Sequence, residues 1–160
     1  MVKNTHGYEL DIEWLGNRGS GTSGYREYGR QLVIRAGNGL VKHDIEASAD
    51  TPFRGDADRW NPEELLLGAL AQCHMLSYLF MAVQADVVVT AYTDHATGTI
   101  EQEDFGGHFT EVVLHPVVTV ANADMVDRAL AAHAEARRYC FIANSVNFPV
   151  RHEPEIRVAS

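Results

Sequence analysis

Two cysteines are the residues of this chain with the clearest capacity for chemistry. Cys73 lies between two polar residues, Gln72 and His74, in the middle of a long apolar stretch, and Cys140 follows a pair of arginines. A thiol can act as a nucleophile and redox group, but a free cysteine often serves only as a small buried hydrophobic side chain. Polar residues beside Cys73 favour a functional thiol, since burying them costs free energy. The cysteines are far apart in the sequence, so any bond between them depends on the fold.

Other kinds of site have less support from sequence patterns. The eight histidines show no recognised metal-ligand spacing, so we expect no metal site and no bound cofactor. Residues 16–24 contain four glycines, but their spacing matches neither a phosphate-binding loop nor a dinucleotide fingerprint. The sequence also has no Gly-x-Ser-x-Gly nucleophile elbow. The thiols therefore remain the main candidates for chemistry.

The charge balance argues against nucleic acid as a partner. Thirteen Lys and Arg against 22 Asp and Glu give a net charge of −9 at pH 7, the opposite of a surface that binds phosphates or anionic lipid. The N-terminal residues lack the apolar core of a signal peptide, and two cysteines do not make a disulfide scaffold. We expect a cytoplasmic protein that binds neither nucleic acid nor membrane.

The apolar stretch that carries Cys73 is predicted to form a helix over residues 61–85. Asn61 can cap this helix, Pro62 suits its first position, and Glu63 and Glu64 suit the positive end of the helix dipole. Its large apolar residues fall on nearly every side of a helical wheel, as expected of a helix enclosed by protein or lipid. Because polar residues interrupt the run, we expect a protein interior rather than a bilayer.

The remaining elements are mostly strands that pair as hairpins. Apolar alternation and turn residues predict strands over 8–14, 25–36, 40–48, 87–100, 109–120 and 149–158, the last at a sheet edge, with a second helix over about 123–138. Gly37-Asn38-Gly39 can supply the positive φ of a tight turn, and Asn122 can cap the second helix. This order predicts an α+β fold, mainly antiparallel sheet around a central buried helix, in one domain over residues 1–160.

The start of the first predicted helix also carries a family motif. Asn61-Pro62-Glu63-Glu64-Leu65, followed after seven residues by Cys73, resembles the NPE(E/Q)L…C helix of the OsmC/Ohr family of thiol-dependent hydroperoxide reductases. The likeness extends to an Arg-Gly-x-Gly-Thr loop at 18–22, to the Val/Thr-rich hairpin and to a second cysteine before an Asn-Ser segment at 140–145. The resemblance implies an OsmC/Ohr-like fold assembled as an intertwined homodimer.

The resemblance implies roles for individual residues. Cys73 would be the peroxidatic thiolate, and Cys140 would be the resolving thiol that forms a disulfide with it. Arg18 and Glu63 would activate Cys73 and orient the peroxide, with Arg26 as the alternative to Arg18. The residue chemistry agrees, because a nearby cation favours a thiolate and arginine stays charged while its fork holds a carboxylate.

The implied activity is that of a peroxidase reducing organic, lipid-like hydroperoxides to alcohols. It needs no bound cofactor, and an external dithiol or a lipoylated protein would reduce the disulfide. Phe141 stands where a proline commonly follows the second cysteine, which leaves the choice between OsmC and Ohr subfamilies open. The alternative is a non-catalytic dimeric module of the same fold that binds a hydrophobic small molecule.

The spacing of the implied site residues sets a geometric condition. Glu63 and Cys73 are ten residues apart, which corresponds to about 15 Å along a straight helix. Either the helix is broken near Gly68, or the Arg18 and Glu63 that serve one Cys73 belong to the other subunit. We favour the second option, because a two-fold axis can place the first turn of one helix beside the middle of its copy.

Overall fold

The computed structural model describes residues 3–160 and divides the chain into two compact units that meet at Leu65 and Leu66. Nine strands and two α-helices are found in the described residues, and most strand pairs are antiparallel. The predicted α+β class with mainly antiparallel sheet is confirmed. The organisation as one domain over residues 1–160 stays a prediction.

The first unit contains a three-stranded antiparallel sheet. Its strands are β1 (Leu10–Trp14), β2 (Leu32–Ala36) and β3 (Ile45–Ala47), with β2 in the middle. The turn after β2 has the predicted positive φ, at 58° for Asn38 and 69° for Gly39. All five residues of β1 are exposed, so the half-buried strand predicted from alternation is wrong for the single chain.

Helix α1 (Pro62–Gln84) starts at the predicted position, in a capping box. The backbone N–H of Glu64 donates to Asn61 Oδ1 at 2.8 Å, and the N–H of Asn61 donates to Glu64 Oε2 at 3.2 Å. These two bonds satisfy two of the backbone donors that every helix leaves unpaired at its start. The predicted cap at Asn61 is confirmed.

The second unit contains two further sheets and a second helix. The chain runs through β4 (Val89–Asp94), β5 (Thr97–Glu103), β6 (Gly106–Leu114), β7 (Pro116–Val120), α2 (Val126–Tyr139), β8 (Val150–His152) and β9 (Glu155–Val158). The sheet orders are β4-β7-β9 and β5-β6-β8, with antiparallel hairpins and parallel last strands. Both last strands lie at sheet edges, as predicted for residues 149–158.

Five predicted elements differ from the structure in detail. The strands predicted over 25–36 and 40–48 are shorter, since β2 covers only Leu32–Ala36 and β3 only Ile45–Ala47, and the connection over 37–44 is longer than the predicted tight turn. The long hairpin is split into β4/β7 and β5/β6, and the Asp94 carboxylate accepts the N–H of His115 at 2.8 Å where the two pairs meet. The last strand is split at Pro154, which has no N–H to donate. Asn122 makes no side-chain cap bond, and α2 begins after a 3-10 turn at Ala123–Met125, so that predicted cap is wrong.

Helix α1 is buried along one stripe rather than on all sides. Its buried residues are Leu70, His74, Tyr78 and Ala82, spaced by four. A stripe on another side stays exposed, with Leu76 at 55%, Phe80 at 60% and Val83 at 68%. The helix is long and apolar enough to cross a membrane, a property it shares with core helices of soluble proteins. The absence of membrane binding stays a prediction.

Candidate active site

The two cysteines come together within the second unit. Cys73 is half-buried on α1, and Cys140 ends α2, where it is only 1% exposed. Both thiols are free, and their side chains are within hydrogen-bonding contact. The fold thus supplies the condition that the sequence could not test, namely that two thiols far apart in the chain are neighbours.

The environment of Cys140 keeps its thiol protonated. Burial is the main cause that raises the pKa of Cys140 to about 11, and contact with Cys73 acts in the same direction. The backbone N–H groups of Ile142 and Ala143 point to the sulfur and oppose this shift, but do not overcome it. Cys140 is therefore a poor nucleophile towards solutes and is held beside the more accessible Cys73.

The segment after Cys140 is anchored by hydrogen bonds. The N–H of Asn144 donates to the Cys140 carbonyl at 3.1 Å, and its side-chain amide donates to the Arg138 carbonyl at 3.0 Å. Ser145 Oγ donates to the Phe141 carbonyl at 2.7 Å, while the Phe141 side chain is exposed. The departure from the family pattern at Phe141 therefore places a large ring on the surface rather than in the core.

Apolar side chains surround the thiols. A core of Leu70, Val112, Leu114 and Val150 lies beside this end of α1. The partly buried residues that pack on this core from α1 and from the segment after Cys140 are Leu66, Leu67, Ala71, Ile142, Ala143, Val146 and Phe148. This surrounding suits a substrate with a hydrocarbon portion.

Arg18 lies in the first unit, on a turn organised by a neighbouring asparagine. Asn17 Oδ1 accepts the N–H groups of Gly19 and Gly21 at 2.9 and 3.1 Å, and both glycines have positive φ, at 109° and 59°. The Arg18 side chain is exposed and forms no ion pair with any described residue. The same is true of Arg26, so the choice between the two arginines stays open.

Glu63 is half-buried in the first turn of α1. Its Oε2 atom is shielded from solvent and has no hydrogen-bond partner among residues 3–160. Helix α1 is continuous through Gly68, so a break that shortens the path from Glu63 to Cys73 is excluded. The structure joins the two cysteines, whereas Arg18 and Glu63 are not paired with each other.

A cluster of three histidines lies beside the thiol pair, and we refer to His74, His133 and His152 as the histidine cluster. His74 Nε2 on α1 lies 3.0 Å from His133 Nδ1 on α2, and both residues are buried. The His152 ring on β8 lies 4.0 Å from the His74 ring, centroid to centroid, and Tyr78 stacks on His133 at 3.9 Å. Within the described part of the chain, no group of His, Cys, Asp or Glu is arranged to hold a metal ion.

The histidine cluster is neutral at pH 7. Burial lowers the pKa of His74 to about 3, of His133 to about 4 and of His152 to about 4, all from an ordinary value of 6.5. Nearby imidazoles add to this effect at His74 and His133, and the Arg137 guanidinium adds to it at His152. Each ring keeps one buried nitrogen without a partner among the described residues.

Sequence spacing did not predict this grouping. The available signal was that His74 and His133 both occupy apolar positions on their helices, which marks them as buried polar residues in need of partners. The expectation that Gln72, the other polar neighbour of Cys73, is also buried is wrong, because its side chain is exposed.

Comparison with known proteins identifies the family. The sequence profile described as OsmC-like protein matches residues 55–155, more than half of the chain. The chain belongs to the OsmC-like protein family. The part that matches this OsmC-like profile contains Glu63, Cys73 and Cys140, whereas Arg18 precedes it. The predicted family is therefore confirmed, and Arg18 is the site residue with the least support from it.

Solved structures show the same OsmC-like fold. An OsmC-like protein of unknown function from Vibrio cholerae has a TM-score of 0.79 and 27% identity, over 94% of this chain and 99% of its own. An organic hydroperoxide resistance protein from Elizabethkingia anophelis has a TM-score of 0.70 and 17% identity, over 99% and 100%. The organic hydroperoxide resistance protein OsmC from Legionella pneumophila has a TM-score of 0.66 and 16% identity, over 97% of this chain and 99% of its own. Comparison with curated proteins gives no match.

Proposed function

We propose that this OsmC-like protein is a thiol-dependent peroxidase that reduces organic, lipid-like hydroperoxides to alcohols. The observation that carries this proposal is the contact between two free thiols of unequal accessibility, Cys73 and Cys140. The half-buried Cys73 meets the peroxide first. The buried Cys140, with its raised pKa, stays a thiol until an oxidised sulfur is formed beside it.

The proposed reaction has two steps within the protein. The Cys73 thiolate attacks the distal peroxide oxygen, so an S–O bond forms while the O–O bond breaks. The alkoxide takes up a proton and leaves as the alcohol, and Cys73 becomes a sulfenic acid. The Cys140 thiol then attacks the Cys73 sulfur, which forms the disulfide and releases water. Two thiols and one hydroperoxide thus give one disulfide, one alcohol and one water.

Regeneration requires an external reductant. A small dithiol, or a lipoyl group on a protein, would reduce the disulfide by thiol exchange and be oxidised to its own disulfide. The half-buried Cys73 is the more accessible sulfur for this attack. The cycle needs no bound cofactor.

We further propose that Arg18 and Glu63 act on Cys73 of a second copy in a homodimer. Two features support this arrangement. The shielded Glu63 oxygen lacks a partner among the described residues, and a partly buried carboxylate without a partner is costly. The exposed stripe of Leu76, Phe80 and Val83 on α1 is the kind of apolar surface that a subunit interface covers.

The test is a single-turnover experiment with cumene hydroperoxide and the reduced protein. Mass spectrometry should show the loss of two hydrogens through a Cys73 to Cys140 disulfide, with one equivalent of alcohol formed. Cys73→Ser should reduce peroxide consumption to background, and Cys140→Ser should stop after one turnover with a sulfenic acid that dimedone traps.

The same experiment separates the peroxidase from a binding module. If both thiols stay free and the peroxide is not consumed, the peroxidase proposal fails. Saturable binding of the alcohol or of a fatty acid to such an inactive protein would then favour the non-catalytic module that takes a hydrophobic ligand.

A further inference from the structure

Three side-chain contacts join helices α1 and α2. Cys73 meets Cys140, His74 meets His133, and the Tyr78 hydroxyl donates to the Ala129 carbonyl at 3.2 Å. As residue numbers rise along α1, those of the contacts on α2 fall. These contacts hold α1 and α2 in one relative position, in which Cys73 lies opposite Cys140.

The apolar side chains that α2 buries in this interface are small, namely Ala129, Ala132 and Ala136. The larger side chains come from α1, where Tyr78 is buried in the same cluster and Leu79 and Met81 pack against it. A buried polar pair adds a directional contact to this apolar packing, as single buried polar residues do in coiled coils.

We propose that His74 and His133 are positioning residues for disulfide formation: their hydrogen bond across the α1–α2 pair holds Cys73 opposite Cys140. This inference rests on the proposed function for its catalytic meaning. The His74–His133 bond is the polar contact next to the thiols, because His74 directly follows Cys73 and His133 lies two helical turns before Cys140 on the same side of α2. The bond is shielded from water, which cannot replace it without entering the core.

The bond depends on the protonation state of the two imidazoles. One ring must donate and the other accept, so a pair that is protonated on all four nitrogens has no acceptor left. The groups that face the pair from α1 and β8 are Tyr78, with Tyr92 behind it, and His152, with Arg137 of α2 near it. Arg151 and Glu153 line the same cavity as His133 and His152, and the Glu153 carboxylate is paired with Arg151 at 3.3 Å.

The chain offers a matched pair of variants at His133. His133→Asn keeps a polar atom where Nδ1 stood, able to donate or accept, whereas His133→Leu has nearly the same size and no polar atom. Both variants are titrated against reduced and oxidised glutathione, which converts two thiols into the Cys73–Cys140 disulfide and releases two reduced glutathione molecules. We expect His133→Leu to lower the equilibrium constant about tenfold, or about 1.4 kcal/mol, and His133→Asn to restore most of it.

A rate measurement connects the same variants to the proposed peroxidase cycle. After one equivalent of cumene hydroperoxide, His133→Leu should form the sulfenic acid but close the disulfide about tenfold more slowly than His133→Asn, and dimedone should trap more of it. In the wild type, closure should slow as the pH falls towards 4, and this dependence should be weaker in His133→Asn. Val118→Ala, a buried core change on β7, controls for loss of stability alone.

Three outcomes would overturn the positioning role. The first is equal disulfide stability in His133→Leu, His133→Asn and the wild type. The second is an equal loss in both His133 variants, and the third is the same loss in Val118→Ala. The wild type could consume no peroxide while the glutathione titration still gives a lower disulfide equilibrium constant for His133→Leu than for His133→Asn. In that case the peroxidase proposal fails and the positioning role stands.

Discussion

The two halves of the predicted site differ in how far one chain completes them. The thiol half, Cys73 with Cys140, is assembled inside the second unit by two packed helices, and its sulfurs are in contact. The charged half is carried by the first unit, where Arg18 is exposed on a loop and the shielded Glu63 oxygen has no partner among the described residues. The single chain thus brings the two thiols together, whereas it leaves Glu63 and Arg18 unpaired among the described residues, which is the basis of the proposal that a second copy completes the site.

The difference follows from the elements that carry each half. The two thiols lie on helices whose side chains meet at Cys73 and Cys140, at His74 and His133, and in a shared apolar core, so they need no additional partner to come together. The Arg18 loop is shaped by Asn17 and by two glycines with positive φ, which defines its backbone but leaves the long Arg18 side chain free to pair. The helix macrodipole favours the negative charge of Glu63 in the first turn. It does not replace the hydrogen bond that Glu63 Oε2 lacks among the described residues.

The largest expected effect tests whether Arg18, rather than Arg26, activates Cys73. Arg18→Ala should lower kcat/KM for cumene hydroperoxide about 100-fold, the range found when one charge-stabilising donor is removed from an active site. Arg26→Ala is the matched control and should lower it less than about threefold if Arg18 is the activating residue. Steady-state kinetics with a dithiol reductant measures both.

Mixing inactive chains extends this test. Cys73→Ser and Arg18→Ala chains, unfolded together and refolded, should regain up to about half of the wild-type activity per mixed dimer if one chain supplies Arg18 to the thiol of the other. No recovery, with mixed dimers demonstrated by mass spectrometry, would mean that each chain builds its own site. The charged half would then also be completed within one chain, and the two halves would differ only in whether their side chains are already in contact.

The next effect concerns the support of the thiol half by the histidine cluster. The unfolded chain takes up protons on these histidines near pH 6.5, whereas the folded cluster resists until about pH 4, and about pH 3 for His74. Their stabilising effect is therefore fully present above pH 6.5 and is lost as the pH falls to about 4. Each histidine adds up to about 1.4 kcal/mol per pH unit to the fall in the free energy of unfolding.

Urea titrations at pH 7, 6, 5 and 4.5 measure this fall. His133→Leu should flatten the dependence by about one proton, even if it lowers stability at pH 7. Val118→Ala changes a buried residue that does not titrate and should leave the slope as in the wild type. An unchanged slope in His133→Leu would show that the cluster is already protonated or hydrated, and that it does not support the thiol half in the way its burial indicates.

Local sequence signals predicted the parts of this molecule that are decided locally. The start of α1 depends on Asn61 and Glu64, three residues apart, and a capping box needs no tertiary context. The positive φ values of Asn38 and Gly39 are equally local. The family motif supplied what local rules cannot, namely that Cys140 would meet Cys73.

Features decided by distant partners were missed. The histidine cluster joins residues of α1, α2 and β8, and nothing in their spacing indicates that these elements meet. The long hairpin is split where Asp94 bonds to His115, across two strands. Helix α1 has large apolar residues on nearly every side, yet the single chain buries only one stripe of it. The helical wheel predicts which residues are apolar, but not which of them another element covers.

The smallest expected effect concerns the cap of α1, and it tests whether the first turn of the helix influences the thiols further along it. Asn61→Ala removes the side-chain bond to the Glu64 N–H and should lower the free energy of unfolding by about 1 kcal/mol. Asn122→Ala is a matched control, because Asn122 precedes a helical segment in the same way but makes no side-chain cap bond, so its effect should stay within about 0.5 kcal/mol. In both variants the alkylation rate of Cys73 at pH 7 should equal that of the wild type, since the thiol pair is held by α2. A changed rate in Asn61→Ala alone would mean that the first turn of α1, and Glu63 with it, influences Cys73 of the same chain. The charged half and the thiol half of the site would then be one unit.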